Sequence, residues 1–280
     1  MTKSDHFLGD CLEVLKTVPD ASVQLIVTSP PYANQRKKTY GGVHPDKYTE
    51  WFLPRAAEFQ RVLKPDGTFI LNIKENVVKG ERHTYVIDLV LALRKQGWLW
   101  TEEWMWHKRN TTPGKWPNRF RDLWEHVYQF NMNKKFQMNQ EAVMVPMGKW
   151  SQNRLAHLSE EDRVRDDSAT GSGFSRNIEN WVGREKAFPG NVLHFASECS
   201  NKGHSAAFPR SLPEFFIKLF STKGDTVLDP FEGSGTTGAV ASDLGRHYVG
   251  IDITPNPKLH KTETVASDCI VYDDDIWYYK

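Results

Sequence analysis

Val227-Leu228-Asp229-Pro230-Phe231-Glu232-Gly233-Ser234-Gly235-Thr236-Thr237-Gly238 is the stretch on which the fold turns. A β-branched, apolar run at 226–228 enters a glycine-rich turn, a helical run follows at 239–244, and a second strand pattern at 247–251 ends beside Asp252. Strand, glycine turn, helix and strand in that order make one unit of a parallel α/β sheet. Outward from it, VQLIVT at 23–28 and TFILNI at 68–73 are short apolar runs bounded by turn residues, the pattern of strands buried on both faces. Segments 48–63, 84–96 and 213–220 have helical spacing; the first sets Trp51, Phe52, Phe59 and Val62 on one side despite Pro54 and stops at Lys64-Pro65-Asp66-Gly67. The expected fold class is α/β, with a doubly wound, mostly parallel sheet. Between 131 and 190 the periodicity is lost in favour of Met, Asn, Gln, Gly and Ser, so this segment reads as an insertion facing a substrate.

The composition bounds the class. A chain of 280 residues with 39% hydrophobic and 25% charged residues fits one large globular domain with an insertion and excludes a disordered or collagen-like chain. No run approaches the roughly 20 apolar residues of a membrane span, and MTKSDHFLGDCLEVL lacks a secretory pattern, so an intracellular protein is expected. Cys11, Cys199 and Cys269 are far apart with no CxxC pair, which argues against a disulfide framework and a structural zinc site; the histidines show no HExxH spacing, and no metal is expected. Net charge is only +1, but its distribution is uneven. From 107 to 121 there are five cations and no acid (Lys108, Arg109, Lys115, Arg119, Arg121), with Trp116 and Phe120 interleaved. A second basic segment is Arg36-Lys37-Lys38. Basic loops carrying aromatic rings suit a phosphate backbone with stacked bases; the plainer reading is a solvated charged face.

The glycine loop formally matches G-x-G-x-x-G at Gly233, Gly235 and Gly238, with an acid about 20 residues beyond, a pattern shared with dinucleotide sites. Asp229 decides between ligands. A carboxylate at the strand end repels a pyrophosphate and attracts the ammonium of an amino-acid-bearing cofactor, which favours S-adenosylmethionine over NAD. No Lys follows Gly235, which excludes a Walker A loop. Asp252, just past the next strand, is placed to accept from ribose hydroxyls.

Thr28-Ser29-Pro30-Pro31-Tyr32 directly follows the strand at 23–28. Two prolines fix φ and remove two amide donors, leaving a stiff loop that presents oxygens, although a bare S-P-P-Y could equally be a rigid turn. An exocyclic base amine is a donor whose lone pair is delocalised into the ring. Ser29 Oγ and the Pro30 carbonyl could orient its two N–H bonds while Tyr32 stacks on an extruded base.

Together, TSPPY at 28–32 and DPFEGSGTTG at 229–238 resemble the catalytic and cofactor motifs of the amino DNA methyltransferases, and the catalytic motif's coming first resembles the β-class of that family. Asp10 after Gly9 resembles the family's early acidic motif near the cofactor adenine, although Asp10 and Glu13 also spell a capping box. Phe208 and Pro209 of HSAAFP (204–209) resemble the segment at the methionine end of the cofactor, and WEHVYQF (124–130) the strand lining the target-base pocket. The resemblance covers about residues 5–254. It implies a Rossmann-like S-adenosylmethionine-dependent methyltransferase fold, with catalytic Ser29, Pro30, Pro31 and Tyr32. It implies cofactor binding by Asp10, Phe208, Pro209, Asp229, Pro230, Phe231, Gly233, Ser234, Gly235, Thr236, Thr237 and Asp252. It divides the chain into a catalytic half at 1–130, a target-recognition insertion at 131–190, a cofactor half at 191–254 and an atypical tail at 255–280.

In that family S-P-P-[YF] is mostly associated with cytosine N4 methylation, and an acidic or amide residue in place of Ser29 with adenine N6. Carbon-5 methylation needs a thiolate, usually after a proline, and no cysteine here follows one. The expected activity is therefore direct methyl transfer to the cytosine 4-amino group of double-stranded DNA, with adenine N6 as the alternative and a homodimer compatible with it. A NAD-dependent oxidoreductase would leave the proline pair unexplained, and a catalytically inactive DNA-binding module would leave Ser29, Tyr32, Asp229 and Asp252 unused. CIVYDDDIWYYK at 269–280 resembles the opening of a chromodomain-like barrel; the expected location is a bacterial cytoplasm or, if a longer protein carries such a module here, a eukaryotic nucleus.

Overall fold

Eight strands form the central sheet of the computed structural model, which describes residues 2–34, 42–111, 113–164, 178–197, 208–256 and 258–259. They are β1 (Ser4–Leu8), β2 (Val23–Thr28), β3 (Leu63–Ile73), β4 (Leu99–Lys108), β5 (Trp124–Asn131), β6 (Val192–Phe195), β7 (Thr226–Asp229) and β8 (His247–Asp252). Their order across the sheet is β1-β8-β7-β2-β3-β5-β4-β6. All neighbours pair in parallel except β5, which is antiparallel to β3 and β4. The chain first builds outward from β2 through β3, then returns to lay β7 and β8 on its other side. The crevice at the carboxyl ends of β2 and β7 is thus a topological switch point, the place where open α/β sheets bind ligands.

Helices cover both faces. On one, α1 (Cys11–Leu15), α2 (Tyr48–Val62) and α3 (Tyr85–Lys95) bury Phe52, Phe59 and Leu89 against Ile26, Phe69, Leu71 and Phe130. On the other, α4 (Ser211–Phe220) and α5 (Thr236–Asp243) bury Phe216, Phe220 and Val240 against Leu25, Val27, Ile70 and Tyr248. Alternate residues of β2 and β3 thus feed opposite cores, which is why these strands read as continuous apolar runs.

The expected strands and helices lie where the spacing put them, within one or two residues at most ends. One departure is at Lys64-Pro65-Asp66-Gly67, expected as a turn. These residues lie inside β3, whose pairing skips from Val23↔Leu63 to Leu25↔Thr68, so they bulge out of the ladder. The expected capping box is also only half made: Asp10 caps the Leu12 amide at 2.8 Å, but Glu13 pairs with Lys16 at 2.6 Å. The insertion carries short pieces: a 3-10 turn at Gln140–Val143, helices at Lys149–Ala156 and Glu160–Val164, and a ribbon joining Val145–Pro146 to Lys186–Ala187. Cys11 is buried, and burial pushes its thiol up to about 12. Cys199, Cys269, His204, Arg36, Lys37, Lys38 and the acidic tail lie outside the described residues. No helix among the described residues is long and apolar enough to cross a membrane, nor do those residues gather three or more potential metal ligands.

Candidate active site

The glycine loop leaves β7 at its carboxyl end. Asp229 is 1% exposed; its Oδ1 accepts from the Thr28 hydroxyl at 2.7 Å and the Phe231 amide at 3.2 Å, and its Oδ2 from the Thr237 hydroxyl at 2.7 Å. Burial outweighs these bonds and lifts the carboxyl from its ordinary range to about 7. Gly235, with φ of 78°, stands in the left-handed region and opens α5, a turn that a side chain would strain. Gly250 on β8 is required for a different reason: a Cβ there would lie 2.0 Å from Glu232 Oε2. Glu232 is buried in the loop with its carboxylate 2.8 Å from His6 Nδ1 and accepting from the Tyr248 hydroxyl at 3.3 Å.

Asp252, at the end of β8, closes the loop from the other side. Its Oδ2 accepts from the Gly233 amide at 2.8 Å and its Oδ1 from the Thr254 amide at 2.7 Å. Ser234 and Thr236 share a hydroxyl contact of 3.1 Å, and Pro230 is buried. Asp10 lies at the same sheet edge, since the neighbouring Gly9 amide donates to the Asp252 carbonyl at 2.9 Å. Its carboxylate receives the buried Arg55 guanidinium at 2.7 Å, and that guanidinium lies 4.3 Å from the centre of the Trp51 ring. Trp51 in turn faces Phe231 at 5.7 Å, so the two rings and the Asp10–Arg55 pair make a half-buried wall beside the glycine loop. Phe208 packs on the second core, and the carbonyl of buried Pro209 accepts the Leu212 amide at 3.0 Å at the start of α4.

The proline loop leaves β2 beside this site, one residue after Thr28. Pro30 is buried, and the Pro31 carbonyl accepts from the Tyr48 hydroxyl at 2.8 Å, which locks the loop to α2. Half-buried Ser29 donates from Oγ to the Tyr32 hydroxyl at 3.3 Å, and Tyr32 donates to Glu125 Oε2 at 2.6 Å. Burial, and after it the Glu125 charge, push the Tyr32 phenol well up, so it stays protonated. Glu125 on β5 is 6% exposed and also accepts from Asn72 Nδ2 at 3.2 Å and from the Lys108 ammonium. Lys74, at the end of β3, donates to the Trp124 carbonyl at 2.7 Å; burial lowers its pKa despite nearby Asp122. Sequence reasoning missed Asn72, Glu125 and Lys74. Glu125 alone carried a signal, a charged residue inside an otherwise apolar strand pattern.

The basic 107–121 segment divides. Lys108 turns inward to Glu125, whereas exposed Arg109 extends beyond β4, its amide reaching the Phe195 carbonyl at 3.3 Å. Lys115–Trp116 and Arg119–Phe120 form a two-residue antiparallel ribbon. The Arg119 guanidinium sits 4.4 Å from the Trp116 ring centre, and Phe120 is 88% exposed. Arg121 donates to the Thr111 carbonyl at 3.3 Å, and Asn118 to the Gly80 carbonyl at 2.9 Å, which fixes the ribbon at both ends.

Residues 23–258 match the model of the DNA methylase family that covers the N6 and N4 enzymes. The type II methyltransferase M.PvuII of Proteus hauseri is 30% identical, the match covering 89% of this chain and 80% of that protein. The DNA adenine methyltransferase YhdJ of Escherichia coli is 31% identical over 88% of this chain and 76% of its own. The solved PvuII DNA methyltransferase, described as cytosine-N4-specific, superposes with a TM-score of 0.69 at 27% identity, covering 91% of this chain and 83% of that one. A putative DNA modification methylase of Thermus thermophilus, solved with S-adenosyl-L-methionine, gives 0.59 at 25% identity, covering 92% and 91%. The match spans most of the chain, from β2 across the proline loop to the glycine loop and β8. By sequence and by fold, the chain belongs to the DNA methylase family as an amino DNA methyltransferase of the β class.

Proposed function

We propose that the chain transfers methyl from S-adenosylmethionine to the 4-amino group of a cytosine flipped out of duplex DNA. The observation that carries this reading is the 2.7 Å bond between Thr28 and Asp229. It ties the strand end that launches the proline loop to the carboxylate that faces the cofactor side, so the two half-sites share one hydrogen-bonded frame.

The residues fit the cofactor. A buried carboxyl raised to about 7 is short of a cation, and an ammonium beside Asp229 would supply it. The apolar Trp51–Phe231 wall suits an adenine ring, and Asp252 and Asp10 stand at the same edge to accept from a ribose or an adenine amine. When bound, S-adenosylmethionine supplies an electrophilic methyl on a sulfonium centre. The chain's own work is to place the amine. Ser29 Oγ and the Pro30 carbonyl accept its two N–H bonds, which turns the nitrogen lone pair out of the base plane, while Tyr32 packs on the base. No covalent enzyme intermediate is needed: as the amine's lone pair forms the N–C bond, the C–S pair would stay on the departing sulfur, and the nitrogen gives up one proton to water. The insertion at 131–190 carries target recognition.

Cytosine is favoured by the Ser29-Pro30-Pro31-Tyr32 motif and by the likeness to the PvuII enzyme. The likeness to YhdJ supports adenine N6 as the second reading. Incubation with mixed-sequence duplex and S-adenosylmethionine, followed by digestion and mass spectrometry of the nucleosides, tests both. A 4-methylcytosine product supports the proposal; 6-methyladenine alone overturns the choice of base; no methylated product overturns the activity.

Arg109 and the ribbon at 115–120 are placed to hold the duplex, with Lys115 and Arg119 on phosphates. Charge reversal of Arg109 and Lys115 is expected to weaken DNA binding and flatten the salt dependence by about 0.9 in log–log slope per lost phosphate contact. Phe120→Ala should weaken binding and leave that slope unchanged, because it removes stacking and no charge. Titrations at several salt concentrations check both; an unchanged slope in the charge variants removes them from the interface.

A further inference from the structure

We propose that Glu125 is a positioning residue that sets the direction of the hydrogen bonds at the catalytic loop, so that Ser29 meets the target amine as an acceptor only. This rests on the reading of Ser29 as an acceptor for the flipped base. The difficulty it resolves is chemical. A serine hydroxyl is both donor and acceptor. If its hydrogen pointed at the base amine, the bond to the amine would be lost and the nitrogen lone pair would be tied to a proton.

The chain of bonds removes that freedom. An ionised carboxylate can only accept. The Glu125 carboxylate, 6% exposed, pairs through Oε1 with the Lys108 ammonium, while its Oε2 receives Asn72 Nδ2 at 3.2 Å. The Tyr32 hydroxyl, 2.6 Å from the same oxygen, must therefore donate to it. A hydroxyl has one hydrogen, so the phenol oxygen can then only accept, and it accepts from Ser29 Oγ at 3.3 Å. With its hydrogen spent on Tyr32, Ser29 has only lone pairs left to present. Each bond in such a chain also polarises the next, so the Glu125 charge strengthens Ser29 as an acceptor across two hydroxyls. Lys108 holds the far end of the relay, and Asn72 keeps Glu125 from rotating by donating also to the His126 carbonyl at 3.1 Å.

Glu125→Gln keeps the shape and reverses the wiring. Lys108 claims the amide oxygen, the NH2 group faces Tyr32 and donates to it, and the phenol hydrogen turns toward Ser29 Oγ at 3.3 Å, a nearer acceptor than Asn72 Oδ1 at 3.5 Å, and takes one of its lone pairs. Tyr32→Phe keeps the ring and deletes the relay's middle oxygen. In single-turnover methylation of duplex DNA, Glu125→Gln is expected to lower kcat on the order of tenfold to a hundredfold, as loss of an aligned hydrogen bond at the reacting group does. The dissociation constant for S-adenosylmethionine should stay within about twofold, because the relay does not touch the cofactor, and the KM for DNA should change far less than kcat, because the relay meets only the target base and none of the phosphate contacts. Tyr32→Phe should give a similar fall, and the double variant should be no slower than the worse single one, since both break one chain. Four results would overturn the proposal: wild-type kcat in Glu125→Gln, wild-type kcat in Tyr32→Phe, multiplicative losses in the double variant, or a fall in cofactor affinity matching the fall in kcat. Should Glu125→Gln not fold, Tyr32→Phe carries the test alone. A wild-type enzyme that methylates no base overturns instead the function on which the relay rests, and the relay with it.

Discussion

Asp229→Ala is expected to abolish S-adenosylmethionine binding at working concentrations while the sheet around it stays folded. The carboxylate is 1% exposed and held by two hydroxyls and an amide, an arrangement that leaves Oδ2 able to accept again. Removing one partner of a buried, hydrogen-bonded charge pair costs about 2–5 kcal/mol, or some thirtyfold to several thousandfold in affinity. Thr28 and Thr237 lose their acceptor as well, so the glycine loop and the proline loop are uncoupled in the same step. Isothermal titration of the variant measures it; affinity equal to wild type would place the ammonium elsewhere.

The same carboxyl makes binding depend on pH. Its pKa stands at about 7, and an ammonium pairs only with the ionised form. Above pH 7 the site is ready; below it a proton must leave first, so affinity should fall by up to tenfold per pH unit. Titration near pH 6 in two buffers of different ionisation enthalpy should show proton release on binding. For folding the sign is the reverse of a salt-bridged carboxylate: the folded chain holds this proton more tightly than the unfolded one. The group's contribution to stability is therefore greatest below the unfolded value and is lost as pH rises toward about 7.

What the sequence showed and what it hid follow one physical division. β2, β7, β8 and the helices on both faces were legible because each must bury a continuous or periodic apolar surface. β1, β4 and β6 were not. Ser4–Leu8 and Val192–Phe195 are short outer strands with polar residues, and Leu99–Lys108 mixes three tryptophans with two glutamates, matching neither a buried run nor a clean alternation. In the site, the glycine and proline loops announced themselves because backbone geometry restricts their residues to Gly and Pro. The partnership of Glu125, Asn72 and Lys108 did not: Lys108 was legible only as a phosphate contact and Glu125 only as a charge in an apolar strand, since their meeting spans β3, β4 and β5 and exists only once those strands pair. The basic segment at 107–121 shows the same limit: its charges are adjacent in sequence, yet Lys108 faces inward while Lys115 is exposed.

Ser29→Ala is expected to lower kcat by about a hundredfold and to leave cofactor affinity unchanged. Cytosine and adenine amines are poor nucleophiles because the lone pair is shared with the ring, and direct transfer becomes fast only if acceptors hold the N–H bonds where the nitrogen must pyramidalise. Deleting one aligned hydrogen-bond partner at such a centre costs on the order of 10² to 10³ in kcat. Ser29 is half-buried and contributes a single oxygen, so its removal leaves the Tyr32 ring, the buried Pro30 and the Thr28–Asp229 frame in place. Pre-steady-state methylation and cofactor titration on the same preparation separate the two quantities. Turnover within twofold of wild type would assign the acceptor role to the Pro30 carbonyl alone. The result also tests the relay: Glu125 reaches the amine only through Tyr32 and Ser29, so Glu125→Gln added to Ser29→Ala should cost no further turnover. A further loss in that background would mean that Glu125 acts on the reaction by a second route.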